Sequence, residues 1–252
     1  MKIDLNCDLG ESFGRWELGE DEAVMRVVTS ANVACGLHAG DPQVMDRTVR
    51  LAGRHGVSLG AHPGYPDLQG FGRRVIDLTV EEAENFVLYQ IGALFAFARA
   101  NRVELVHVKP HGALYNQAAR DQALAEAVAR AVARFSKELI LVGLAGSALV
   151  AAGLAVGLRV ANEGFPDRAY QPDGSLRPRR LPGALIETTE EICAQAVRLA
   201  VDGIPFAVDG TQRKQTVDTL CIHGDHPGAA TRAAAVRRAL EEQGIMVGPL
   251  NP

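Results

Sequence analysis

The sequence predicts an α/β fold in which a parallel sheet is covered by helices. Three observations point there. Short β-like runs alternate with helical patterns along the chain. Several runs are nearly all apolar, such as Glu138-Leu-Ile-Leu-Val-Gly143, as expected of strands buried on both faces. The helical stretches between them carry recognisable start signals.

The elements follow in order. The first β-like run, 2–7, alternates polar and apolar residues, and further runs fall at 30–35 and 57–61. Between these two, Asp41-Pro42 sets a capping carboxylate before a proline suited to the first helical position. Thr79-Val-Glu-Glu82 is a capping box that opens a helix to about Asn101. Runs at 104–108, 138–143 and 158–162 follow. Thr188-Thr-Glu-Glu191 is a second capping box, for a helix to about Asp202. A short run at 206–208 and a longer one at 217–223 precede a last helix that starts at Pro227-Gly-Ala-Ala and ends near Gln243. Two stretches break the alternation, 62–78 and 163–185. Long loops in compact domains are often functional. No composition shift marks a boundary, so residues 1–252 are expected to form one domain.

Composition narrows the function classes. The chain has 252 residues, 47% hydrophobic and 22% charged, enough to bury a core without disulfides or metal staples. A net charge of −4 and 5% aromatic residues argue against nucleic acid or an anionic membrane as partner. The N-terminal residues lack a charged-then-apolar targeting pattern, and the apolar region from Val87 to Ala100 is interrupted by Gln90, Gly92 and Arg99. No transmembrane helix is expected, and a cytoplasmic location is. Cys7, Cys35, Cys193 and Cys221 show no CxxC spacing and read as reduced thiols.

Polar residues gather at the strand ends. Asp4, Asn6 and Asp8 share one face of the first strand. His38 follows the second strand, His62 ends the third, and His107, Lys109 and His111 run along and past the fourth. Glu163 ends a later strand, and His223 and Asp225 end the last. His55 stands apart and reads as a helix C-terminal residue favoured by the dipole. Ligands bind at the carboxyl ends of strands in such folds, so this edge is the expected active site. Asp8, His38 and His62 could hold a divalent metal. Alternatively, the carboxylates and imidazoles could serve as general bases, with Lys109 either stabilising negative charge or locked in a buried ion pair. Arg73-Arg74, or Arg177, Arg179 and Arg180, offer anion recognition, and Gly143-Leu-Ala-Gly146 is a weak candidate phosphate turn.

These residues carry a resemblance. Asp4-Leu-Asn-Cys-Asp-Leu-Gly-Glu-Ser-Phe-Gly14, Ala31-Asn-Val-Ala-Cys-Gly-Leu-His-Ala-Gly-Asp41, Gly60-Ala-His-Pro-Gly-Tyr-Pro-Asp67, His107-Val-Lys-Pro-His-Gly-Ala-Leu-Tyr115, Glu163-Gly-Phe-Pro-Asp-Arg-Ala-Tyr170 and Cys221-Ile-His-Gly-Asp225 resemble the motifs of the LamB/YcsF family of lactam-utilisation proteins. The resemblance implies a distorted (β/α) TIM-like barrel of about seven main parallel strands, glycoside hydrolase/deacetylase-like. It also implies ATP-dependent opening of 5-oxo-L-proline to L-glutamate, with release of ADP and phosphate, in concert with 5-oxoprolinase subunits B and C. ATP is then the cofactor, with a divalent metal such as Mg as a second candidate.

Asp8, His62, Lys109 and His111 are the leading candidates for catalysis. Asn6, His38, Glu163, His223 and Asp225 are candidates for substrate or ion binding. Two other readings compete: a stand-alone metal-dependent amide hydrolase or deacetylase, and a non-catalytic protein that binds ligand for its partners.

Overall fold

In the computed structural model, which describes residues 1–222, 224 and 228–250, seven parallel strands close into a barrel. They are β1 (Lys2–Leu9), β2 (Ser30–Ala34), β3 (Ser58–His62), β4 (Leu105–Val108), β5 (Ile140–Leu144), β6 (Arg159–Gly164) and β7 (Thr219–Ile222). Each pairs with its neighbour in sequence, and β1 pairs with both β2 and β7, which joins the two ends. A two-residue strand, β8 (Met246–Val247), adds to the first residues of β1 from outside.

The connecting helices are α1 (Asp21–Met25), α2 (Pro42–His55), α3 (Val80–Ala100), α4 (Gly112–Ala118), α5 (Gln122–Phe135), α6 (Ala148–Ala155), α7 (Thr189–Asp202) and α8 (Ala229–Glu242). Among the described residues no helix is long and apolar enough to cross a membrane. The expected caps form. Asp41 accepts from the amides of Gln43 and Val44, and Thr79 and Glu82 complete a reciprocal capping box. Thr188 caps α7 through the Glu191 amide. His55 ends α2 beside a left-handed Gly56.

Alternation along the strands divides the interior into two cores. Outward residues such as Leu5, Leu59, Leu141 and Leu220 pack against Val49, Ile91, Val128 and Leu199 of the helices. This shell is the main hydrophobic core. Inward residues are polar toward the mouth and apolar on one side of the floor, where Val106, Ile140, Val142 and Ala161 cluster with Leu250 against them.

One expected strand is absent. Residues 206–208 do not join the barrel. Ala207 makes an isolated parallel bridge to Tyr170, and Phe206 and Val208 bond the backbone of the same residue. Pro205 and the Asp209-Gly210 turn leave too few residues to extend the pairing. The eighth strand is instead Met246–Val247, past the last helix.

Candidate active site

The site is built on the inward face of β1. Asp4, Asn6 and Asp8 rise along it in steps, and each meets a different set of partners. Asp4 lies deepest and accepts from the hydroxyls of Thr29 at 2.7 Å and Ser30 at 2.6 Å on one oxygen, and of Thr219 at 2.5 Å on the other. Asn6 donates to Glu163 at 3.0 Å and to Thr219 at 2.7 Å, and accepts from Asn32 at 2.7 Å. Asn32 also donates to Asp8 at 2.9 Å, and its carbonyl faces His107 Nε2 at 2.7 Å. That carbonyl can only accept, so His107 carries its proton on Nε2. Gly60 leaves the space for this ring, because a methyl group there would overlap it.

Lys109 ties this layer together. Its ammonium lies 2.9 Å from Asp8, 2.8 Å from Glu163, 3.2 Å from the Asn6 carbonyl and 3.0 Å from the Cys221 sulfur. Burial by itself would lower the Lys109 ammonium. Asp8, the Cys221 sulfur and Glu163 outweigh burial and hold it well above its ordinary value. Three N–H groups face four acceptors, so Lys109 has no donor left for a ligand. Glu163 is fully buried, and its second oxygen accepts from Tyr115 at 2.7 Å.

Above this layer sits a cluster of imidazoles. His62 Nδ1 lies 2.7 Å from the Lys109 carbonyl, and His111 Nε2 lies 2.8 Å from the Phe71 carbonyl. Both nitrogens must donate, because a carbonyl cannot. The other nitrogens, His62 Nε2 and His111 Nδ1, face each other at 3.0 Å. Two lone pairs then oppose each other in a buried space. This holds with both rings neutral: burial, the largest cause, pushes the His111 imidazole down to about 3. His38 stacks on His111 with centroids 3.8 Å apart, and its Nε2 lies 3.3 Å from Glu11. Glu11 also reaches His111 Nδ1 at 3.3 Å. The ligand atoms of Glu11, His38, His62 and His111 all lie within 4.8 Å of one another. The opposed lone pairs and the carboxylate beside them fit a cation. Gly64 admits the His38 ring, since a Cβ there would stand 2.6 Å from its Nδ1.

Two loops border the site. In the first, Asp67 accepts from the amides of Gly70 at 2.9 Å and Arg74 at 3.3 Å and pairs with the Arg74 guanidinium. The fold so made turns the Phe71 carbonyl toward His111, with Phe71 in the left-handed region at φ 54°. In the second, the Gln195 side-chain amide on α7 reaches the carbonyls of Phe165, Pro166 and Arg168 at 2.8–2.9 Å. Tyr170 accepts from the Phe165 amide at 2.7 Å. The two loops flank a cavity of about 980 Å³ whose floor includes Asp8, Glu11, His62, Lys109 and His111. Tyr115, Leu144 and Phe165 give it an apolar wall, and arginines dominate its rim.

The structure thus brings Asp8, His62, Lys109 and His111 to one cavity. Asn6, His38 and Glu163, expected from sequence at the substrate, do not line it. They sit behind its wall; Asn6 and Glu163 are sealed by the bonds above, whereas His38 Nδ1 has no partner among the described residues. His223 and Asp225 lie outside the described residues. Of the expected metal triad, His38 and His62 belong to the cluster. Glu11 and His111 complete it, and Asp8 stands 3.4 Å from His62 Nε2. Arg74 is committed to Asp67, whereas Arg73, Arg177, Arg179 and Arg180 line the cavity. The turn at Gly143–Gly146 reaches the cavity too, with Ser147 capping α6. Sequence patterns alone do not single out Glu11, Asn32 or Arg168. For Glu11 the available signal is an acid three residues past a strand-end aspartate.

Comparisons with known proteins agree with this architecture. The LamB/YcsF family model matches residues 3–252. The chain is 60% identical to the 5-oxoprolinase A subunit of Methylococcus capsulatus over 98% of its own length and 95% of the relative. It is 57% identical to the protein of the same name in Pyrococcus furiosus, over 99% and 98%. The crystal structure of a lactam utilization protein from Thermus thermophilus superposes with a TM-score of 0.93 at 49% identity, covering 99% of this chain and 100% of that one.

Proposed function

The chain belongs to the LamB/YcsF family, and from that premise we propose that it is the A subunit of an ATP-dependent 5-oxoprolinase. It acts with subunits B and C to hydrolyse 5-oxo-L-proline to L-glutamate, while ATP becomes ADP and phosphate. The observation that carries this reading is the whole-length match to relatives named as 5-oxoprolinase A subunits at 54–60% identity. The site suits the chemistry. A five-membered lactam is an unreactive amide whose closed form is favoured, so ATP supplies the drive. The cavity floor offers a carboxylate and imidazoles, and the wall of Tyr115, Leu144 and Phe165 suits a small ring.

In this reading Asp8 takes the proton of the attacking water. Lys109 does not touch the substrate. It is a positioning residue that fixes Asp8 and neutralises its charge beside Glu163. The carbonyls of Lys109 and Phe71 set the tautomers of His62 and His111. Glu11, His38, His62 and His111 would hold a divalent cation, which would supply Lewis acidity toward an amide oxygen. Three nitrogens and one carboxylate suit zinc, cobalt or nickel better than the magnesium expected from sequence, which prefers oxygen ligands. A cytoplasmic location fits the four free cysteines.

Glutamate and ADP formation from 5-oxo-L-proline tests the reading, with this chain alone, with B and C, and with B and C lacking it. Turnover confined to the full mixture is expected, and Asp8→Asn should reduce it about 10²–10⁴-fold. Turnover by B and C without this chain would sink the proposal. The cation cradle also favours a second reading, an ATP-independent metal-dependent amide hydrolase, which predicts activity from this chain alone. Either way, zinc or cobalt at about 100 times its Kd should raise Tm by about 5–10 °C, and His62→Ala should abolish the rise.

A further inference from the structure

We propose that Arg168 is the anchor of an oxyanion subsite at the cavity mouth, which takes a carboxylate or a phosphoryl group of the ligand. The identity of the ligand rests on the lactamase reading, whereas the site itself rests on geometry.

Arg168 lies in the loop after β6 and lines the cavity, yet only 4% of its surface is exposed. Its guanidinium is aimed by two backbone carbonyls. Nε donates to Ala184 at 3.3 Å and a terminal nitrogen donates to Arg177 at 2.6 Å. Its own carbonyl is clamped by Gln195 at 2.8 Å. These contacts use two of its five N–H groups. Among the described residues Arg168 forms no ion pair.

A buried guanidinium without a carboxylate partner is costly, and such charges are ordinarily paired. The surroundings increase the cost. Burial first, and then the positive charge of Arg179, lower the group to about 10, against a smaller pull from Asp167. Arg177, Arg179 and Arg180 share the rim with it, and Arg213 lines the same cavity. The fold therefore holds a fixed planar donor beneath a cationic rim, open toward the same space as Asp8 and His111. The missing counter-charge is an oxyanion, which a guanidinium grips through paired N–H groups. In 5-oxo-L-proline the carboxylate is that group. In a phosphorylated ligand it is the phosphoryl oxygens.

Titration calorimetry on the full chain decides this with three probes: 5-oxo-L-proline, 2-pyrrolidinone (the same lactam without the carboxylate) and inorganic phosphate. If the carboxylate is read, 5-oxo-L-proline binds at least about tenfold tighter than 2-pyrrolidinone, and Arg168→Gln erases the difference. If phosphoryl oxygens are read, phosphate binds the native chain and Arg168→Gln weakens it at least about tenfold. Arg168→Lys keeps the charge without the planar fork and should fall between, which decides the matter should the Gln variant not fold. The subsite is overturned if a folded Arg168 variant binds all three probes as the native chain does. It is equally overturned if the native chain shows neither the lactam preference nor phosphate binding. Phosphate binding lost in Arg168→Gln, without 5-oxo-L-proline turnover in the full mixture, would keep the subsite and sink the lactamase reading. Turnover indifferent to Arg168 would do the reverse.

Discussion

Two storeys of the barrel interior handle polarity in opposite ways. In the lower one, Asp4, Asn6, Thr219 and Glu163 sit among matched donors and acceptors, and hydroxyls or amides satisfy the carboxylate oxygens. In the upper one, two imidazole nitrogens face each other as lone pairs, and His38 Nδ1 has no partner among the described residues. Both storeys are buried, so burial does not separate them. Satisfaction does. A nearly completed network rigidifies the polar side of the barrel interior. An incomplete one keeps bonding capacity for something outside the chain.

The sharpest way to break this comparison is to remove one member from each storey. Lys109→Met leaves Asp8 and the fully buried Glu163 without their shared cation. It should cost about 3–5 kcal/mol in urea unfolding. His111→Gln removes a ring whose Nδ1 satisfies no donor, so it should cost only about 1 kcal/mol while abolishing the metal-dependent rise in Tm. Equal losses in the two variants would mean that the upper cluster is as much a structural network as the lower.

The sequence makes the storeys visible as a face but not as depths. Alternation places Asp4, Asn6 and Asp8 together, and each second residue climbs about 7 Å. Only the highest reaches the cavity, and nothing in a period of two says which. Asn6 and Glu163 read from sequence as substrate contacts for that reason, although Lys109 and Tyr115 occupy them. The caps at Asp41 and Thr79 are legible because their signals are local. The strand expected at 206–208 fails because three β-prone residues find no barrel neighbour, only the loop at Tyr170. Glu11 and Arg168 lie beyond the strands, where periodicity no longer fixes direction.

A smaller effect should follow from Asp4. Burial raises its carboxyl above the ordinary value, against the opposing pull of Ser30, Thr219 and Thr29. The fold therefore prefers the protonated form. The stability that Asp4 contributes is largest below 3.8 and is lost as pH rises from there to the raised folded value. Asp4→Asn has no such dependence. Its stability relative to the native chain should climb with pH across that window, by about 1.4 kcal/mol for each pH unit separating the two values. A flat difference would mean that the hydroxyls compensate burial fully, which would make the satisfaction of the lower storey complete.

The mildest probe leaves the fold untouched and asks whether the boundary between the storeys is closed. Cys221 lies at that boundary, 3.0 Å from Lys109, and burial holds its thiol well above the ordinary range. Cys7 is raised likewise, and Cys35 is pushed up to about 12. Cys193, on the outer helix α7, is the half-exposed one. A disulfide reagent at a pH of about 8 should therefore titrate one thiol per native chain and four after denaturation. A second fast thiol, mapped to Cys221, would show solvent passing the cation cradle to reach the Lys109 layer. Lys109, which only grazes the cavity floor with 3% of its side chain exposed, would then be a group that water and ligand meet fully. The division between a finished floor and an unfinished mouth would have to be moved one layer down.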